Sequence, residues 1–164
     1  MTHYLYGGDW ENRLKQEILL GIGSVRALQS LHIAQDVSHC NEGHAAFLGL
    51  ERIRNLVMRR RLTFAEALEV VRSSSLFRPI RPVPAGHDAF PEAMIRQYLS
   101  HYPEELGIDW AQFVGLGRVN RRSERKILDV GACLQPLAGG QRRVVAARRG
   151  LQRDFGRSVA GYFK

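Results

Sequence analysis

Asn41, Glu42, Gly43 and His44 put an amide, a carboxylate and an imidazole within four consecutive positions. Such a set can both donate hydrogen bonds to and accept them from a bound ligand. A short β-type run, Val37-Ser38-His39-Cys40, leads into it. Phe47, Leu48, Leu50, Ile53, Leu56 and Val57 follow at helical spacing. A strand ending in polar residues at a helix start is where open α/β folds hold ligands. The backbone N–H groups there lack partners, and the helix dipole favours bound oxygens and anions. His87-Asp88 forms a second pair, inside a proline-rich stretch. It either presents both side chains to a ligand or leaves Asp88 capping the next turn with His87 in solvent. A metal centre drawn from His39, Cys40, Glu42 and His44 fits no standard zinc spacing, so no metal is expected.

Positioning these residues falls to an ordinary amount of chain. One domain fits in 164 residues, and 45% hydrophobic content suits a globular protein. No apolar run approaches the roughly 20 residues that cross a bilayer. The amino-terminal residues show neither a basic start nor an apolar signal core, so a cytoplasmic location is the default expectation. Cys40 and Cys133 read as reduced thiols. The net charge of +8 is unevenly spread. Residues 117–164 hold 12 Lys+Arg and 3 Asp+Glu, whereas residues 1–116 hold 12 and 13. The front is balanced; the excess sits in the last 48 residues, where a domain boundary or a tail is expected.

In chain order, Asp9 is placed to cap a helix carrying Leu14, Ile18, Leu19, Ile22, Val25 and Leu28 as its apolar stripe and ending near Ser30. Gly21 and Gly23 inside that stripe each cost about 1 kcal/mol relative to Ala, which points to a close packing contact. Ile33 to Cys40 reads as a strand and about Gly43 to Arg60 as the second helix, with Arg59-Arg60-Arg61 a solvated last turn. Thr63-Phe64-Ala65-Glu66 has capping-box form and opens a short helix through Val71. Ser73 to Phe77 reads as a strand. Pro79, Pro82, Pro84 and Pro91 make 78–91 an extended connection. Helices resume at Glu92 to His101 and from Asp109 to Leu116. Beyond Gly117 the periodicity fails, and 117–164 reads as a basic, weakly patterned or disordered tail.

Several runs resemble the α-glucan phosphorylases, the glycogen, starch and maltodextrin phosphorylases, particularly their shorter bacterial form. They are Leu5-Tyr6-Gly7-Gly8-Asp9-Trp10-Glu11, Arg13-Leu14-Lys15-Gln16-Glu17, Asn41-Glu42-Gly43-His44, Leu50-Glu51-Arg52-Ile53-Arg54 and the stretch Pro82 to Pro91. Together they span residues 4–116. The resemblance implies an α/β fold, a partial Rossmann-like domain of a GT-B type glycosyltransferase taken from inside the amino-terminal domain. Two such domains face each other across the active-site cleft in that family. It also implies phosphorolysis of α-1,4-glucans to glucose 1-phosphate, with pyridoxal phosphate held by a lysine of the carboxy-terminal domain and supplying its phosphate as acid/base. By resemblance Asn41, Glu42 and His44 line the sugar side of the cleft, and Gly8 and Asp9 belong to a loop near it. Glucan and phosphate are the implied partners.

The departures matter equally. The family's Thr-Thr-His-Thr, whose histidine contacts the reacting sugar, is replaced by Arg78-Pro79-Ile80-Arg81, so the histidine position is Ile80. No catalytic residue is therefore expected intact, and no cofactor is expected on this chain, which the resemblance places wholly outside the cofactor-binding domain. Codons for 78–81, and for 139–145, can be chosen so that a neighbouring frame spells family sequence. Frame-shifted reading is thus one account of both segments. The chain alone is expected to be inactive and to self-associate through edges its missing neighbours would cover. The alternative from another class is a small basic nucleic-acid-binding protein acting through phosphate neutralisation by 117–164. Against it, that stretch lacks interleaved aromatics; nucleic acid and membrane are not expected partners.

Overall fold

The computed structural model describes residues 9–41, 43–78 and 90–117, all within the unit Met1–Leu134. Gly8, Glu42, Ile80, His87, Asp88, Cys133 and the basic stretch from 118 onward lie outside the described residues. Within them the fold is helix-rich α/β with a small parallel sheet. The elements are α1 (Trp10–Ile18), a π-helical turn (Leu19–Gly23), α2 (Ser24–Ser30), β1 (Ser38–Asn41), a 3-10 turn (Gly43–Ala45), α3 (Phe47–Arg60), α4 (Phe64–Ser73), β2 (Ser75–Arg78), α5 (Glu92–Leu99), α6 (Tyr102–Leu106) and α7 (Trp110–Gly115).

The helix starts follow the capping residues. Asp9 Oδ1 accepts from the Asn12 N–H at 2.8 Å. Thr63 and Glu66 close a reciprocal capping box, with the Thr63 N–H donating to Glu66 Oε2 at 2.8 Å. Asp109 and Gln112 close another, the Gln112 N–H donating to Asp109 Oδ1 at 2.7 Å. Each such cap contributes about 1 kcal/mol. Arg59 and Arg60 occupy the exposed last turn of α3, and Arg61 ends it in the left-handed region at φ 56°.

The first helix departs from its expected single run. A π turn inserts one residue per turn and shifts the phase of everything after it. Around this turn Leu14, Ile22 and Val25 are buried, while Leu19 and Leu20 are exposed. Gly21 explains the device: a Cβ on it would lie 2.7 Å from Leu48 N and 2.8 Å from Phe47 Cβ. The backbone of the first helix thus touches the start of α3 at a point where no side chain fits.

Several boundaries are corrected. The expected strand Ile33–Cys40 shrinks to Ser38–Asn41, because β2 offers four pairing positions: Ser38 with Ser75, His39 with Leu76, Cys40 with Phe77 and Asn41 with Arg78. Ile33 and Val37 are exposed. Ser73 belongs to α4 rather than to β2. The second helix opens as a 3-10 turn before becoming α-helical at Phe47. The helix expected to reach His101 stops at Leu99, and α6 follows, with Pro103 in its first turn and Gly107 at φ 69° closing it. Pro at the start and Gly past the end are tolerated where N–H groups have no partner and where φ turns positive.

One core joins these elements. Leu14, Phe47, Leu50, Ile53, Ala67, Val71, Phe90, Ile95, Leu99, Tyr102, Leu106 and Phe113 are all essentially inaccessible to solvent. Each fully buried Leu, Ile or Phe contributes about 1.5–3 kcal/mol, so the core rather than the four-residue sheet holds the fold.

Candidate functional site

Both strands of the sheet run the same way, and Asn41 is paired with Arg78. Their carboxyl ends therefore stand at one level. Just beyond the carboxyl-end edge of β1 stands the 3-10 turn Gly43–Ala45. That edge is where parallel sheets gather ligand groups. Alternation along β1 buries Ser38 and Cys40 and exposes His39. Cys40 is free and 1% exposed, and burial pushes its thiol up while the nearby Arg52 guanidinium pulls it down. Neighbouring His39 and Cys40 thus occupy opposite faces. Among the described residues no group of three His, Cys, Asp or Glu is placed to hold a metal.

His44 lies in the 3-10 turn, half-buried. Arg13 of α1 reaches it across 31 positions of sequence, with Nη2 2.7 Å from His44 Nδ1. The same guanidinium lies 3.4 Å, at Nε, from Oε1 of the buried Glu17. Asp9 stands on the same helix, one turn before Arg13, its carboxylate spent on the cap. Of the candidates, the structure thus gives His44 a partner, puts Asp9 on the helix that supplies it, and puts Asn41 at the strand end before the turn. Arg13 and Glu17 are additions. Their i, i+4 spacing reads as a helix-surface pair, and nothing local to α1 points at a turn so far along the chain.

A second polar cluster lies between α2, α3 and α6. Glu51 is 1% exposed and accepts from Arg26 Nε at 2.9 Å, from Arg54 Nη1 at 3.2 Å and from the Tyr102 hydroxyl. Arg54 also donates to Glu105. Burial, then the Glu51 hydrogen bond, holds the Tyr102 phenol well above its usual range. Beside it an open cleft of about 300 Å³ is lined by residues including Arg26, Ser30, Asn55 and Arg59. Every carboxylate here is matched by an arginine, so the cluster reads as a structural tie between helices.

Lys15 is the one lysine among the described residues. Its ammonium lies 2.9 Å from Glu11 and over the Tyr98 ring. The Glu11 hydrogen bond raises its pKa, the reverse of what a lysine forming a Schiff base requires. The described residues therefore do not fit pyridoxal phosphate.

No protein-family model matches the chain. It is 52% identical over 105 residues to a glycogen phosphorylase of Mycobacterium tuberculosis, covering 61% of this chain and 12% of that relative. It is 44% identical over 127 residues to a maltodextrin phosphorylase of Thermococcus litoralis, covering 77% of this chain and 15% of the relative. A glycogen phosphorylase of Aquifex aeolicus is 34% identical over 113 residues, or 69% of this chain and 16% of the relative. The chain thus spans between 12% and 16% of the length of these curated relatives. The matched part of the chain is a segment of the α-glucan phosphorylase family.

Proposed function

We propose that this chain carries part of the sugar-binding wall of an α-glucan phosphorylase, which cleaves glycogen or maltodextrin with phosphate to give glucose 1-phosphate. The observation that carries the reading is the 52% identity over 105 residues. The common level of the two strand ends beside the His44 turn supports it. In this reading Asn41, Glu42 and His44, with Gly8 and Asp9, contact the glucan, an amide, a carboxylate and an imidazole matching the donors and acceptors of sugar hydroxyls. The surrounding fold is part of a Rossmann-like domain of GT-B type, in a cytoplasmic enzyme. Pyridoxal phosphate acts in the full-length family as phosphate acid/base. The described residues do not fit it.

With Ile80 at the position of the family's histidine, the chain alone is inactive in this reading. Titration with maltoheptaose, followed by saturation-transfer NMR, is expected to show weak binding that His44→Ala removes. Glycogen and phosphate are expected to yield no glucose 1-phosphate with the chain alone. Absence of maltoheptaose binding by the folded chain overturns the reading. The basic nucleic-acid alternative rests on residues 117–164, which beyond Gly117 lie outside the described ones, and the comparisons lend it no support.

A further inference from the structure

Guanidinium carries five N–H donors and no acceptor, and it stays cationic throughout the range in which proteins fold. A contact of 2.7 Å from Arg13 Nη2 to His44 Nδ1 therefore requires a lone pair on Nδ1. A neutral imidazole has one such nitrogen, and the other carries the proton. Arg13 is itself held: its side chain is mostly buried and lies at ion-pair distance from Glu17, which is 5% exposed. Carboxylate, guanidinium and imidazole thus form a chain from α1 to the turn. Partners that bond one ring nitrogen commonly set the tautomer of a functional histidine.

We propose that Arg13, anchored by Glu17, is a positioning residue that locks His44 in the Nε2–H tautomer. Nε2 then carries the ring proton, so a ligand atom bonded there is an acceptor, a hydroxyl or phosphate oxygen. The ligand-facing role of His44 rests on the function proposed above; the tautomer does not.

The test uses the full chain without sugar, with nitrogen-15 in its histidine rings, at an alkaline pH where imidazoles are neutral. His44→Gln assigns the His44 signals. The wild-type chain is expected to show the Nε2–H pattern alone. Arg13→Met is expected to show a mixture of both tautomers, and Leu14→Ala, which perturbs the core from the same helix, to keep the wild-type pattern. An Nδ1–H pattern in the wild-type chain overturns the proposal. So does an unchanged pattern in a folded Arg13→Met, or mixing in Leu14→Ala as well. Should Arg13→Met fail to fold, the wild-type pattern still decides. A chain with the Nε2–H pattern that binds no maltoheptaose keeps this inference and loses the proposed function.

Discussion

Two glycines two residues apart on the first helix behave oppositely once their surroundings are compared. Glycine in a helix costs about 1 kcal/mol relative to alanine, so Gly→Ala is stabilising where space permits. At Gly23 the added Cβ meets the tip of Leu19 at 3.3 Å, and Leu19 is half exposed and free to move aside. At Gly21 it meets the backbone of Leu48 at 2.7 Å, which moves only if α3 moves. Overpacking of that kind costs about 1–3 kcal/mol and outweighs the propensity gain. Urea unfolding is therefore expected to show Gly21→Ala destabilised by about 1–2 kcal/mol, with Gly23→Ala neutral or slightly stabilised. Equal effects at the two sites would refute the contact. The sequence signalled that some glycine here packs closely; which of the two does was not legible, because their helical context is alike.

Between elements, the ties are carboxylate–arginine pairs, and these make stability depend on pH. The Arg54 hydrogen bond holds Glu105 below its usual 4.5, joining α3 to α6. A carboxyl whose folded pKa lies below its unfolded one takes up a proton on unfolding. Its contribution is complete above about pH 4.5 and is lost as pH falls through the lower folded value. Glu11, held down first by the Tyr98 hydroxyl and then by Lys15, and Glu66, held down by Thr63, act in the same sense. The thermal midpoint is expected to be flat near neutrality and to fall below about pH 4.5, with a shallower fall in Glu105→Gln. A midpoint that rises on acidification, or an identical slope in Glu105→Gln, would exclude this account. Helix starts at Asp9, Thr63 and Asp109 were readable because a cap and its partner three residues on are local. The short α6 was not read, although its Pro and Gly mark both ends, and the strand was overextended because pairing length is set by β2.

At the scale of the whole molecule, apolar surface is left uncovered. Leu31 is 68% exposed, Val37 61% and Ile33 50%, all between α2 and β1, and Leu76 on β2 is 42% exposed. The chain spans 12% to 16% of the length of the relatives it matches. Apolar patches of this kind favour association. Light scattering coupled to gel filtration is expected to show dimers or larger species whose share rises with concentration. A monomer at every concentration, with one sharp unfolding transition, would sink that expectation. No helix among the described residues is long and apolar enough to cross a membrane.

What the sequence determined by itself is what nearest neighbours along the chain decide. It placed the caps, the apolar stripe of α3 and the polar turn after β1, and its run of family motifs identified the phosphorylase segment. Tertiary structure decided the rest, since contacts between distant positions leave no periodic trace. It decided that a π turn rephases the first helix around Gly21 and that Glu51 is buried among Arg26, Arg54 and Tyr102. It also decided that Arg13 reaches His44, because only packing of α1 against the turn brings a guanidinium and an imidazole 31 residues apart within hydrogen-bond distance.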